Sequence, residues 1–215
     1  MTQDRGEPPQ QLIEPHTLRR TVLTVAGLNF GYFWVQVVVA VSIGSVALLA
    51  DSVDFLEDTA VNLLIFLALG WPLARRATAG KVMAGLILLP AAAAAWAAFS
   101  KAGNPEPPDV TLLVLTAGGA VLVNGLAAWL LSRIRHHGGS MTTTAFVIAR
   151  NDVLVNLAII AMGLLTWATG SGWPDIVLGA AIILLNLRAA AEVWEVATEE
   201  SLAAKALAGE DVDDD

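Results

Sequence analysis

The chain is 215 residues long, with 56% hydrophobic and only 15% charged side chains and a mean hydropathy of +0.65, which excludes an ordinary water-soluble domain and places it in lipid. It has no cysteine, so disulfides and thiolate metal sites are excluded, and any metal must be held by oxygen or by one of three histidines. The formal charge of −8 comes largely from one end, where Glu199 to Asp215 hold seven acids against Lys205 alone; the basic residues are scattered, which excludes nucleic-acid binding.

Residues 1–18 carry Asp4, Glu7, Glu14 and three prolines. They lack the basic start and apolar centre of a secretory signal peptide, and are expected to form a flexible cytoplasmic lead-in. A helix needs roughly 20 apolar residues to cross the hydrocarbon core. Six such stretches follow, at about 21–42, 46–71, 82–100, 110–131, 142–168 and 175–196. Lys and Arg fall before span one (Arg5, Arg19, Arg20), between spans two and three (Arg75, Arg76, Lys81) and between four and five (Arg133, Arg135), while the opposite loops hold only Lys101. The positive-inside tendency puts both termini in the cytoplasm. The predicted fold is an all-α membrane protein: a six-transmembrane-helix bundle over residues 19–198, then an acidic, disordered cytoplasmic tail over 199–215, in a multi-pass protein of the inner (plasma) membrane. His136 and His137 read as solvated loop residues, and Arg188, Glu192 and Glu195 as side chains snorkelling from the end of span six.

The chemistry lies in spans two and five. Span two places Asp51, Asp54, Glu57 and Asp58 in an otherwise apolar segment, where each ionised side chain at mid-bilayer costs about 2.5–3.5 kcal/mol on insertion scales. Asp51, Asp54, Asp58 and Asn62 share one helix face, and the i, i+4 spacing of Asp54 and Asp58 lets two carboxylates converge on one ion. Span five supplies Asp152 at matching depth with Asn156 one turn on, and span one supplies Asn29 and, further out, Gln36. Packed carboxylates repel, so they must be protonated or neutralised by a bound cation. A divalent ion compensates their charge when bound and is expelled when protons return to the same oxygens. Asn29, Asn62 and Asn156 read either as ligands through their amide oxygens or as interhelical hydrogen-bonding groups. Glu57 and Arg150 lie off the carboxylate stripes, as a neutralising ion pair or as separate partners in helix contacts.

The run Gly44-Ser45-Val46-Ala47-Leu48-Leu49-Ala50-Asp51-Ser52-Val53-Asp54, followed by Asp58, resembles the second-helix signature of the cation diffusion facilitator family. The six spans, an Asn in the first, a carboxylate in the fifth and Asp175 heading the sixth extend the resemblance over about residues 18–197. It implies a homodimeric, proton-coupled exporter of Zn2+, Co2+, Mn2+, Fe2+ or similar ions, with a tetrahedral site shared between helices two and five. Carried over by position, Asp54 and Asp58 are the second-helix ligands and Asp152 the later ligand of the fifth. The earlier fifth-helix ligand falls on Ile148, which cannot bind metal, so either water, Asp51, Asn151 or Asn156 completes the shell, or the ion is held more weakly and with harder ligands than in relatives. The family's cytoplasmic domain does not fit in the residues after Thr198, so a short, divergent member lacking it is expected. The function implied is divalent cation transport by alternating access, with lipid, the ion, protons and a second copy as partners, no enzymatic activity and no cofactor besides the transported ion. Two other readings stay open: a non-transporting membrane partner or regulator of a full-length transporter, and a proton or monovalent cation carrier with Arg150 as internal counter-charge.

Overall fold

The computed structural model describes residues 15–68, 70–134 and 139–208. They form six helices: α1 (Pro15–Ile43), α2 (Val46–Ala68), α3 (Leu73–Ala102), α4 (Val110–Ser132), α5 (Gly139–Thr169) and α6 (Trp173–Ala208). Strands are absent among the described residues. The helices are apolar nearly all round, as lipid requires. Phe30, Trp34, Leu89, Leu122 and Trp167 lie exposed on the outer surface, where hydrocarbon replaces water.

Among the described residues, five helices are long and apolar enough to cross a bilayer on their own composition, and α2 is the one that is not. Its four acids disqualify it, and the bundle compensates by surrounding it: α2 packs against α1, α3, α5 and α6. The remaining pairings are α3 with α6, α4 with α5, α1 with α4 and α5 with α6. The costliest helix for lipid thereby sits in the protein interior.

Three predicted boundaries move. Residues 15–18, expected in the flexible lead-in, form the first turn of α1, with Leu18 buried in the core. The stretch around Arg75, Arg76 and Lys81, expected as a break between spans two and three, belongs to α3, which starts at Leu73 directly after Pro72. Residues 199–208, expected in the disordered tail, extend α6 to Ala208. Arg, Lys, Glu, Ala and Leu all favour helix. Charge in these segments therefore does not mark where a helix ends. The α3 and α6 extensions meet: the Arg76 guanidinium donates to the Glu200 carboxylate in an ion pair between α3 and α6. His136 and His137 lie outside the described residues.

α6 approaches the start of α2 at backbone contact. Gly179 is buried, and a Cβ built on it would stand 2.8 Å from the Val46 carbonyl carbon and 2.9 Å from the Ala47 nitrogen. Because neither backbone atom can give way, Gly179→Ala is expected to push the helices apart at a cost of about 1–3 kcal/mol. In detergent its melting temperature should fall by several degrees, whereas Gly125→Ala, whose Cβ meets nothing within 4 Å, should not lower it.

Candidate metal centre

The acids of α2 divide by direction. Asp51 and Asp58 are wholly buried and turned onto amide partners, while Asp54 and Glu57 are partly buried. The Gln36 amide of α1 donates to Asp51 Oδ2, and Asn156 Nδ2 of α5 donates to Asp51 Oδ1 at 3.2 Å. Asn29 Nδ2 of α1 donates to Asp58 Oδ2 at 3.0 Å. Asn156 Nδ2 also reaches the Asp152 carbonyl at 3.0 Å, and Asn62 Nδ2 the Asp58 carbonyl at 2.8 Å. Polar side chains from α1, α2 and α5 thus meet in one buried layer.

Asp152 belongs to the same layer: it interacts electrostatically with Asp58, Asp51 and Glu57, and Asp54 with Asp51, Asp152, Glu57 and Asp58. Five carboxylates from two helices therefore share one field of like charge. The basic residues are elsewhere. Lys101 pairs with Asp175 and Arg76 with Glu200, while Arg19, Lys81 and Arg133 lie over Phe66, Trp194 and Trp129. Arg150 is exposed on α5, its Nη2 on Asn151 Oδ1 at 3.4 Å. Among the described residues, Glu57 and Arg150 form no ion pair, and Arg150 makes no interhelical contact of the kind expected: its partner is its own neighbour Asn151. Asn151 is exposed beside Arg150 and is not among the residues brought together. Among the described residues, no three acidic or histidine side chains stand close enough to hold a metal ion as a group. The acids are neighbours in field without converging on one point.

What they leave over is oxygen. Asn29 Oδ1, Gln36 Oε1, Asn62 Oδ1, Asn156 Oδ1 and Asp152 Oδ2 are buried with no hydrogen-bond donor, and each such group costs about 1–3 kcal/mol of lost solvation. A buried layer rich in acceptors and short of donors and cations suits a visiting positive charge.

A cavity of about 260 Å³ lies between α2, α3, α5 and α6 and reaches one of the five acids, Glu57. Glu57, Ile148, Thr144 and Glu192 line it, and Arg76 and Glu200 stand at the end formed by the helix extensions. Ile148, expected where relatives carry a ligand, is part of this wall and puts no donor atom there.

At the other end of the bundle lies a cluster that sequence reasoning did not assign. Asp175, at the start of α6, is 1% exposed. Its carboxylate accepts from Ser45 Oγ at 2.6 Å, Val46 N at 2.9 Å, Ala47 N at 3.2 Å and Lys101 Nζ at 3.0 Å. Lys101 also donates to the Gly44 carbonyl at 2.6 Å, in a turn made by Gly44 at φ +67°. One acid from α6 therefore caps the N-terminus of α2, satisfying backbone N–H groups that a helix start leaves orphaned. Nearby, Asn186 of α6 donates to the Ala50 carbonyl at 2.8 Å. The available signal was Asp175 in a helix first turn and Asn186 within a span, but neither names its partner helix.

The model of the cation efflux transmembrane domain matches residues 22–198 of the chain. Among curated proteins, the zinc transporter ZitB of Escherichia coli (strain K12) is 29% identical over 94% of this chain and 68% of its own length. The zinc transporter ZitB of Shigella flexneri matches equally, at 29% identity over the same shares.

Proposed function

This chain belongs to the cation efflux family, a multi-pass family of metal cation transporters, and on that premise we propose that it exports a divalent cation in exchange for protons, with Asp54, Asp58 and Asp152 as the ion's main carboxylate ligands. The observation that carries this reading is the buried layer itself: five acids with no basic partner among the described residues, beside five unpartnered oxygens. Such an arrangement is costly unless a cation or protons occupy it.

Both termini and the Arg76–Glu200 end face the cytoplasm in this proposal, because Arg75, Arg76 and Lys81 gather there. The cavity along α2, α5 and α6 is then the cytoplasmic approach, and the Asp175 cap closes the outer end. Rocking of the α3–α6 pair against the other helices, about α2, would bring the layer to the outer face. Protons entering there compete for the carboxylate oxygens and release the ion. The protein works in the inner (plasma) membrane, as a homodimer. Asp51, held by two amides, and Asn156 stand beside the three main ligands as further oxygen donors, and Asn151 is left out of the set because it is exposed.

The test is uptake of Zn2+, Co2+ or Mn2+ into proteoliposomes. Ion should accumulate when the lumen is acidic, because each ion entering is exchanged for protons leaving, and should only equilibrate without a pH difference. Equilibrium binding should weaken as pH falls, since every proton bound removes a ligand oxygen. Absence of both flux and binding in the purified protein would favour the non-transporting partner instead.

A further inference from the structure

Asn29 is fully buried on α1, and its two polar atoms are in opposite situations: Nδ2 donates to Asp58 Oδ2 at 3.0 Å, while Oδ1 has no partner. A carboxamide exchanges the two atoms by turning about one side-chain bond, without a proton and without backbone movement. Beside an empty, charged Asp58 the amide group faces the carboxylate as a donor. Beside an Asp58 that holds a cation, the positive charge repels the NH2 group and attracts the oxygen. Two neighbours repeat the pattern of donating nitrogen and orphaned oxygen: Asn62 on the Asp58 carbonyl and Gln36 on Asp51. The nearest α5 position one turn before Asp152 is Ile148, which has no donor atom to offer.

We propose that Asn29 is a direct ligand of the transported ion, its Oδ1 turning onto the cation held by Asp58. The ion's shell then spans α1, α2 and α5 and consists of oxygen alone. This rests on the transport reading above and deepens it, because carboxylate and amide oxygens favour hard divalent cations such as Mn2+ over those that prefer nitrogen or sulfur. The amide also gives α1 a direct hold on the ion, so loading changes the contact between α1 and α2.

The experiment is equilibrium binding of Mn2+ and of Zn2+ to the purified full chain, paired with melting temperatures with and without Mn2+. Asn29→Leu removes both polar atoms and should weaken Mn2+ binding about 10–100-fold, the range seen when groups that hold a metal site together are lost. Asn29→Asp is the deciding variant. As a ligand, a carboxylate at this place should bind Mn2+ at least as tightly as wild type, while the metal-free melting temperature falls because two acids now face each other; Mn2+ should restore it. If Asn29 only braces Asp58, Asn29→Asp breaks the brace and weakens binding as much as Asn29→Leu does. That result, or Mn2+ binding by Asn29→Leu within twofold of wild type, would overturn the proposal. Should Asn29→Leu fail to fold, Asn29→Asp decides alone. A wild-type protein that binds neither ion sinks the transport reading itself, a failure separate from that of Asn29.

Discussion

Asp58→Asn is expected to abolish ion flux in proteoliposomes while raising the melting temperature of the metal-free protein. The two effects have one cause. Asp58 is 2% exposed, lies in a helix enclosed by four others and has no basic partner among the described residues. An ionised carboxylate in that position costs about 2.5–3.5 kcal/mol on insertion scales. Asparagine keeps the shape and, through its own oxygen, the 3.0 Å bond from Asn29 Nδ2, but carries no charge and has only one oxygen for the cation. Binding should fall on the order of a hundredfold, the upper end of what even supporting groups around a metal contribute, and flux should fall with it. Asp54→Ala should lose flux as well. Because Asp54 has no hydrogen bond among those described, its effect on stability should be a gain from lost repulsion set against a small loss of packing. Wild-type flux in both variants would remove the assigned site. A fall in melting temperature for Asp58→Asn would instead show that the Asp58 charge holds the fold together.

Asp175→Ala should be the most damaging single change to stability. It strands the Lys101 ammonium, whose side chain is 13% exposed, and orphans the Ser45 hydroxyl and the N–H groups of Val46 and Ala47. Removing one partner of a buried, hydrogen-bonded ion pair costs about 3–5 kcal/mol, a large share of the total stability of most domains. Asp175→Asn should fall between, since one side-chain oxygen still accepts from a backbone N–H while its NH2 group faces Lys101. Lys101→Met removes the other half of the pair. If the carboxylate acts mainly as the α2 cap, Lys101→Met should cost less than Asp175→Ala, and the double variant should cost less than the sum. The check is thermal unfolding in detergent together with recovery of monodisperse protein. A melting temperature for Asp175→Ala within a degree or two of wild type would mean that the cap does not hold α2 in place.

Much of the site was legible as chemistry and little of it as geometry. Four acids in one span announce an interior helix, because lipid tolerates them nowhere else, and α2 is indeed the enclosed one. The depth match between Asp54, Asp58 and Asp152 also followed from counting residues along helices. By contrast, nothing local distinguished Asp51, turned onto Gln36 and Asn156, from Asp54, left without an amide partner three residues later. Arg150 read as a partner for Glu57 or for a neighbouring helix, and is exposed on α5 beside Asn151 instead. Asn151 stood next to a candidate ligand in the chain and lies on the wrong side of its helix. Lys101, the one basic residue of its side of the membrane, gave no sign that its partner would be an acid 74 residues away.

The sequence by itself determined that this is an all-helical membrane protein of six long segments, and that its unusual chemistry sits in the second and fifth. Those properties depend on composition and local spacing, which each segment carries alone. Only the tertiary structure decided which amide clamps which acid, that α6 caps α2, and that α3 and α6 extend beyond the expected boundaries to pair through Arg76 and Glu200. The reason is physical: a helix that is apolar all round has no stripe to declare its packing face, and lipid is as apolar as a neighbouring leucine. Polar contacts between segments distant in the chain then select the arrangement, and their pairing exists only once the helices have met.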